Sequence, residues 1–230
     1  MISIKGVTKQ FITGKEAFWA LNGVDLEIAD GEFIAIGGKS GSGKSTLLNI
    51  IGTLDTATSG SISIDGVEIS SLSQRKIAEF RNKQIGFIFQ SFYLEPGYSV
   101  YDNVELPLIL AGKTGRRNRE KVEAALEMVN LSHKIKNRAS TLSGGEQQRV
   151  AIARAIINDP KYIFADEPCG NLDTANSENI MRILKDLNAS GKTILMVTHD
   201  ENDAQKAGRI VVMSDGKIID YNRIFLNEAV

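Results

Sequence analysis

The 230-residue chain contains a single cysteine. That excludes an internal disulfide and any metal site built from clustered cysteines, and it makes a cytosolic setting the expectation. Net charge is nearly absent too: 27 Lys and Arg against 28 Asp and Glu leave -1. Such a balance makes no electrostatic case for nucleic acid, and no nucleic-acid partner is expected. No apolar run approaches the length of a membrane span; residues 104–111, among the longest candidates, contain Glu105 and Pro107. The first residues, Met1-Ile2-Ser3-Ile4-Lys5-Gly6, show no signal-peptide pattern. If the protein works at a membrane, something else must hold it there.

What the chain does have is ordinary globular composition, 42% hydrophobic and 24% charged. Its length suits one large domain, or one domain with a lobe inserted in it, and a sizeable core. The most informative stretch is Gly38-Lys39-Ser40-Gly41-Ser42-Gly43-Lys44-Ser45. It follows the apolar run Phe33-Ile34-Ala35-Ile36 and precedes Thr46-Leu47-Leu48-Asn49-Ile50-Ile51, so it reads as strand, glycine-rich turn and helix. This is the G-x-x-x-x-G-K-[ST] pattern of a phosphate-binding P-loop. Glycines let the backbone curl until several N–H groups point at one spot. The helix that follows aims its positive end at the same spot. Lys44 adds a full charge for the β- and γ-phosphates, and the Ser45 hydroxyl suits Mg²⁺, which prefers oxygen ligands.

Around this loop the pattern alternates between strands and helices. Ile2-Ser3-Ile4 and Val24-Asp25-Leu26-Glu27-Ile28 alternate apolar with polar and predict strands, the second of them antiparallel. Phe11, in a polar stretch, is either a loop anchor or a ligand contact. Ser61-Ile62-Ser63-Ile64 followed by Asp65-Gly66 predicts a strand and a tight turn. Residues 73–82 read as a short amphipathic helix, and Ile85-Gly86-Phe87-Ile88-Phe89 as a buried strand ending at Gln90. The texture then changes: Pro96-Gly97 marks a bend, and residues 101–110 and 119–129 look helical. Arg116, Arg117, Arg119 and Lys121 fit a solvated helix face. A mostly helical lobe is expected over residues 91–159.

Further on, Leu142-Ser143-Gly144-Gly145-Glu146-Gln147 opens a helix, with Ser143 as N-cap and Glu146 completing a capping box. Two glycines in the first turn are costly, at about 1 kcal/mol each relative to Ala. They suggest that something large approaches the backbone there. Tyr162-Ile163-Phe164-Ala165 predicts a buried strand that ends in Asp166-Glu167-Pro168. Carboxylates at the C-terminal end of such a strand sit where α/β sheets place ligands. Beside a P-loop, Asp166 can hold Mg²⁺ through its water shell and Glu167 can polarise an attacking water. Thr193-Ile194-Leu195-Met196-Val197 is another apolar strand, followed by Thr198-His199-Asp200. A closing hairpin is expected through Asp215-Gly216. The tail from Asn222 carries no signal.

Taken together, these stretches resemble the ATP-binding subunit of an ABC transporter over nearly the whole chain. Walker A matches residues 38–45, the Q-loop residue Gln90, the signature residues 142–147, and Walker B ends at Asp166. Glu167 then matches the catalytic carboxylate, Asn171-Leu172-Asp173 the D-loop and His199 the switch histidine. The resemblance implies a single ABC ATPase domain over residues 1–230, an α/β fold. It would have a P-loop NTPase RecA-like core (about 1–90 and 160–221), an antiparallel β-subdomain and an inserted α-helical subdomain (about 91–159). ATP and Mg²⁺ are the implied ligands. The nucleotide would touch Phe11, which matches the adenine-stacking aromatic, then residues 38–45 and Thr46. It would also touch Ser143, Gly144 and Gly145 of a second copy in a head-to-tail homodimer. Ser45, Gln90 and Asp166 would serve the metal, and Glu167, His199 and Gln90 the chemistry.

The branch resembled is that of macrolide export and lipoprotein release, through Asn49-Ile50-Ile51-Gly52, residues 85–90, Asn103-Val104-Glu105-Leu106-Pro107 and Gly170-Asn171-Leu172-Asp173. Two departures bear on nucleotide affinity and thiol sensitivity: Lys39 stands where Pro is usual, and Cys169 where Thr is usual. The expected partner is an integral-membrane permease docked on the segment after Gln90. That would place the chain on the inner face of the cell membrane, cytoplasmic and peripheral. The alternative is a soluble, non-transport ABC ATPase of DNA repair or translation. Such proteins usually carry two cassettes, a long coiled coil or zinc cysteines, none of which stands in this sequence.

Overall fold

The computed structural model describes residues 1–14 and 16–220. The first part of the chain forms β1 (Ile2–Thr13), β2 (Glu16–Ile28), β3 (Phe33–Gly37), α1 (Lys44–Ile51), β4 (Ser59–Ile64), β5 (Val67–Glu68), α2 (Gln74–Gln84) and β6 (Ile85–Phe89). Next come α3 (Val100–Leu110), α4 (Arg116–Met128), α5 (Gly144–Ile156), β7 (Tyr162–Asp166) and α6 (Thr174–Ala189). The last described elements are β8 (Thr193–Val197), α7 (Glu201–Ala204), β9 (Arg209–Ser214) and β10 (Lys217–Asp220). Two compact units result, Met1–Ile77 with the stretch from Thr193, and Ala78–Lys192.

In the first unit, β2, β1, β4 and β5 make an antiparallel sheet in that order. The β1–β2 hairpin is longer than the sequence suggests and carries Phe11 in a strand, paired with Phe18, rather than in a loop. The expected tight turns are present: Asp65 and Gly66 join β4 to β5, and Asp215 and Gly216 join β9 to β10, all at positive φ. Strand β3 lies between β8 and β9 and is parallel to both. All five residues of β8 and four of the five in β3 are buried, as expected for strands covered on both faces. Helix α1 buries Leu47, Leu48, Ile50 and Ile51, worth about 1.5–3 kcal/mol each.

In the second unit, β6 and β7 pair in parallel from Ile85↔Tyr162 to Phe89↔Asp166. Gly86 lets α5 approach β6 closely, because a β-carbon there would press on the Ala155 carbonyl. Helices α3 and α4 pack on α5. Helix α4 begins at Arg116, three residues before the sequence suggests, because Gly115 supplies its N-terminal turn. No helix among the described residues is long and apolar enough to cross a membrane.

Candidate active site

The register of β3 and β8 sets one part of the site. Ile36 pairs with Val197, so the glycine loop and Thr198-His199-Asp200 leave the sheet at the same end. They line a cavity of about 310 Å³ with Gly38, Lys39, His199, Glu201 and Ala204 on its wall. Thr198 is buried and its Oγ accepts from the Asp200 N–H at 3.0 Å. Asp200 in turn caps α7 by accepting from the N–H groups of Asn202 and Asp203. His199 is thus held on a short, hydrogen-bonded bridge between a buried strand and a helix cap.

The loop wraps its own lysine. Lys44 is 6% exposed, and its Nζ donates to the carbonyls of Gly38 and Lys39 at 2.8 Å each, with Ser42 Oγ at 3.5 Å. Gly43 precedes α1 in a left-handed conformation and offers the first helical amides no side-chain oxygen. It has no room for a side chain, since a β-carbon would overlap the Ala20 carbonyl. Gly38 is confined in the same way by the Met213 carbonyl. The turn of the closing hairpin backs the loop: the Gly216 N–H donates to the Ser42 carbonyl at 3.1 Å. Ser40, Gly41, Ser45 and Thr46 complete the loop and the first turn of α1. Phe11 lies away from the core, 42% exposed, with Lys9 Nζ 5.0 Å from its ring centroid.

In the second unit, Gln90 and Glu167 follow the last paired residues of β6 and β7 at one sheet end. Gln90 Nε2 donates to Asn171 Oδ1 at 3.4 Å, and Asn171 Nδ2 returns a bond to the Gln90 carbonyl at 3.1 Å. Gly170 makes room for this pair, since a β-carbon would lie 2.7 Å from Gln90 Nε2. Glu167 adopts φ 49, an uncommon conformation for a side-chain-bearing residue, and its carbonyl accepts from the Gly170 N–H at 3.0 Å. Cys169 is buried with Sγ 3.7 Å from the Ser177 carbonyl, which shields the thiol from reagents in this conformation.

Helix α5 opens with the expected capping box. Ser143 Oγ accepts from the Glu146 N–H at 3.3 Å and Glu146 Oε2 accepts from the Ser143 N–H at 2.9 Å. That backbone N–H, with Lys134 nearby, holds the Glu146 carboxyl below its ordinary pKa. The paired glycines differ. A β-carbon on Gly144 would make ordinary contacts with Leu172 and Phe92, whereas one on Gly145 would overlap Asn176. Two side chains of α5 were not legible as site residues. Gln148, fully buried, donates to the carbonyls of Pro168 at 2.6 Å and Phe89 at 3.3 Å. Arg154 donates to the carbonyls of Phe92 and Tyr93. The available signal was a polar residue at position 148, on the stripe of Ala151 and Ile152.

Comparison with known proteins bears on this arrangement. The ABC transporter family profile matches residues 21–170. An uncharacterised ABC transporter ATP-binding protein of Bacillus subtilis is 49% identical over 219 residues, covering 95% of each chain. A macrolide export ATP-binding/permease protein of Chlorobaculum tepidum is 50% identical over 220 residues, covering 96% of this chain and 34% of that protein. The chain therefore spans about a third of such relatives. A dimeric bacterial ABC transporter cassette superposes with TM-score 0.91 at 43% identity over 97% of this chain and 99% of the other. A post-hydrolysis dimer bound to ADP and Pi superposes with TM-score 0.90 at 42% identity, with the same coverage.

Proposed function

The chain belongs to the ABC transporter family as an ATP-binding cassette with ATPase chemistry, and we propose that it powers transport through a membrane permease outside this sequence. The observation that carries the reading is the seat of Lys44. Its ammonium is held over the loop by two carbonyls, beside glycines that cannot carry side chains. Such a loop presents a charge and backbone amides to phosphate oxygens. Residues 38–46 would hold the phosphates of ATP, and Phe11 would stack on the adenine. The proposed core comprises residues 1–90 and 160–221, with the helical subdomain over 91–159; residue 221 lies outside the described residues.

Ser45, Gln90 and Asp166 would each serve Mg²⁺ through an oxygen, the ligand type that a hard cation prefers. Among the described residues no group of three or more His, Cys, Asp or Glu could hold a metal alone. This suits an ion completed by waters and phosphate oxygens. Bound there, it would neutralise phosphate charge. Glu167 would accept a proton from the attacking water, His199 would orient the γ-phosphate, and Gln90 would report it. Two copies would sandwich ATP head to tail, with Ser143, Gly144 and Gly145 serving the partner's nucleotide; that similar cassettes are dimeric, one of them bound to ADP and Pi, supports this. The permease would dock on residues 91–98, which would place the chain at the inner membrane face. The two exposed tyrosines of that segment, Tyr93 and Tyr98, favour this over a soluble, non-transport ATPase, because exposed aromatics suit a docking face.

Two substitutions test the reading on the purified chain. Lys44→Ala should weaken Mg-ATP binding at least about tenfold by calorimetry. Ser143→Arg should bind ATP and lose hydrolysis, while the parental rate rises faster than linearly with protein concentration. Unchanged affinity in the first variant sinks the P-loop reading. Strictly proportional activity across the dimerisation range sinks the composite site.

A further inference from the structure

The segment after Gln90 contains two adjacent aromatic residues in left-handed conformation, Phe92 at φ 58 and Tyr93 at φ 49. L-residues pay for that conformation, and two in succession persist only where the surroundings enforce it. The enforcing group is on α5. Arg154 Nη2 donates to the Phe92 carbonyl at 2.6 Å and Nη1 donates to the Tyr93 carbonyl. A guanidinium is suited to this because its charge is permanent and its donors form a rigid fork. The same helix also holds the strand end just before the segment and passes beside Phe92. Gln148 bonds the Phe89 carbonyl at 3.3 Å, and a β-carbon on Gly144 would lie 3.9 Å from Phe92 Cζ. On the far side, buried Asn103 bonds both the N–H and the carbonyl of Glu95, at 2.8 Å and 3.1 Å. Tyr93 still presents 66% of its surface to solvent.

We propose that Arg154 is a positioning residue that clamps the Phe92–Tyr93 turn onto the helix beginning at Gly144, so that a displacement of the signature glycines reaches exposed Tyr93 without loss. The clamp stands on the geometry alone; only the meaning of that displacement rests on the proposed function. Neither nucleotide contact nor helix formation requires this arginine, because it lies in the last turn of α5.

Hydrogen exchange on the full chain without nucleotide tests the clamp. In Arg154→Gln, amides of residues 92–95 should exchange about tenfold faster or more. Residues 44–51 in α1 should change less than about twofold, as expected of a local opening. Arg154→Lys, which can serve only one carbonyl well, should fall between. In Mg-ATP hydrolysis the Gln variant should lower kcat with KM within about twofold, and the Lys variant should recover part of it. Unchanged exchange at 92–95, or an equal rise in α1 in both variants, overturns the proposal; if the Gln variant does not fold, the Lys variant decides by the same two readings. A parental chain without ATPase activity would fault the proposed function and leave the exchange test intact.

Discussion

Asn176 occupies the space that a side chain at Gly145 would need: its Oδ1 and Cγ stand where the β-carbon would project. Asn176 is fixed there by Asp173, to which its Nδ2 donates at 3.0 Å and its backbone N–H at 2.8 Å. The second glycine of the signature therefore has a reason inside its own chain. The first does not, since Gly144 has only ordinary contacts. Only Gly144 thus needs an approaching ligand to account for it.

Gly145→Ala should displace Asn176 and cost about 1–3 kcal/mol of stability. Adding Asn176→Ala should restore most of the loss relative to Asn176→Ala alone, and ATPase activity should return with it. Gly144→Ala should leave the melting temperature nearly unchanged and lower ATPase activity about tenfold or more if a phosphate must approach there. Thermal melts and phosphate release on the parental chain and the four variants check this. A double variant as unstable as Gly145→Ala would show that Asn176 is not the obstacle.

The capping box gives a pH dependence. The Ser143 N–H stabilises the Glu146 carboxylate, so its folded pKa lies below its unfolded value. The sign follows: the contribution is fully present above the unfolded pKa, about 4.3, and is lost as pH falls through the folded value. Glu146→Gln should therefore cost about 0.5–1 kcal/mol near neutrality. The gap should close as pH falls below about 4. Urea titrations at several pH values measure it, and a gap that widens in acid would reverse the assignment.

How much of this was visible in the sequence depended on the range of the interaction. The P-loop, both Asp-Gly turns and the Ser143–Glu146 box are local, and each was legible within a few residues. The hairpin carrying Phe11 was not, because Lys9, Gln10 and Phe11 gain strand conformation from pairing with β2, against a polar local pattern. Asn176 opposite Gly145, and Arg154 over Phe92, join residues 31 and 62 positions apart. Neither side chain violates its local pattern, so nothing local could announce them.

Glu167 is the proposed water-polarising group, and its left-handed backbone turns it out of the strand. Glu167→Gln keeps shape and loses the proton acceptor. It should hydrolyse ATP roughly a hundredfold more slowly or worse, keep nucleotide affinity, and accumulate as a dimer in size exclusion with Mg-ATP. Turnover at the parental rate would place the chemistry elsewhere.

The proposed docking surface for the permease is built around two tyrosines. Within residues 91–98, Tyr93 and Tyr98 are exposed, 66% and 51%, while Phe92 and Leu94 are half-buried. Phe92 is therefore a support of the segment, and the tyrosines are its face. The backbone beneath them is pinned: the Ala139 N–H donates to the Tyr98 carbonyl at 3.0 Å and the Ser140 N–H to the Pro96 carbonyl at 3.2 Å. A change of the Tyr98 side chain can thus alter the surface without unfolding the loop. Burying an unpaired carboxylate in an interface, together with losing an aromatic anchor, costs about 2 kcal/mol or more. Tyr98→Glu should leave ATP binding and melting temperature of the isolated chain intact. It should weaken assembly with the permease about thirtyfold or more and abolish ATP-driven transport in the reconstituted complex. Normal assembly and transport by this variant would remove residues 91–98 as the docking surface and leave the ATPase assignment standing.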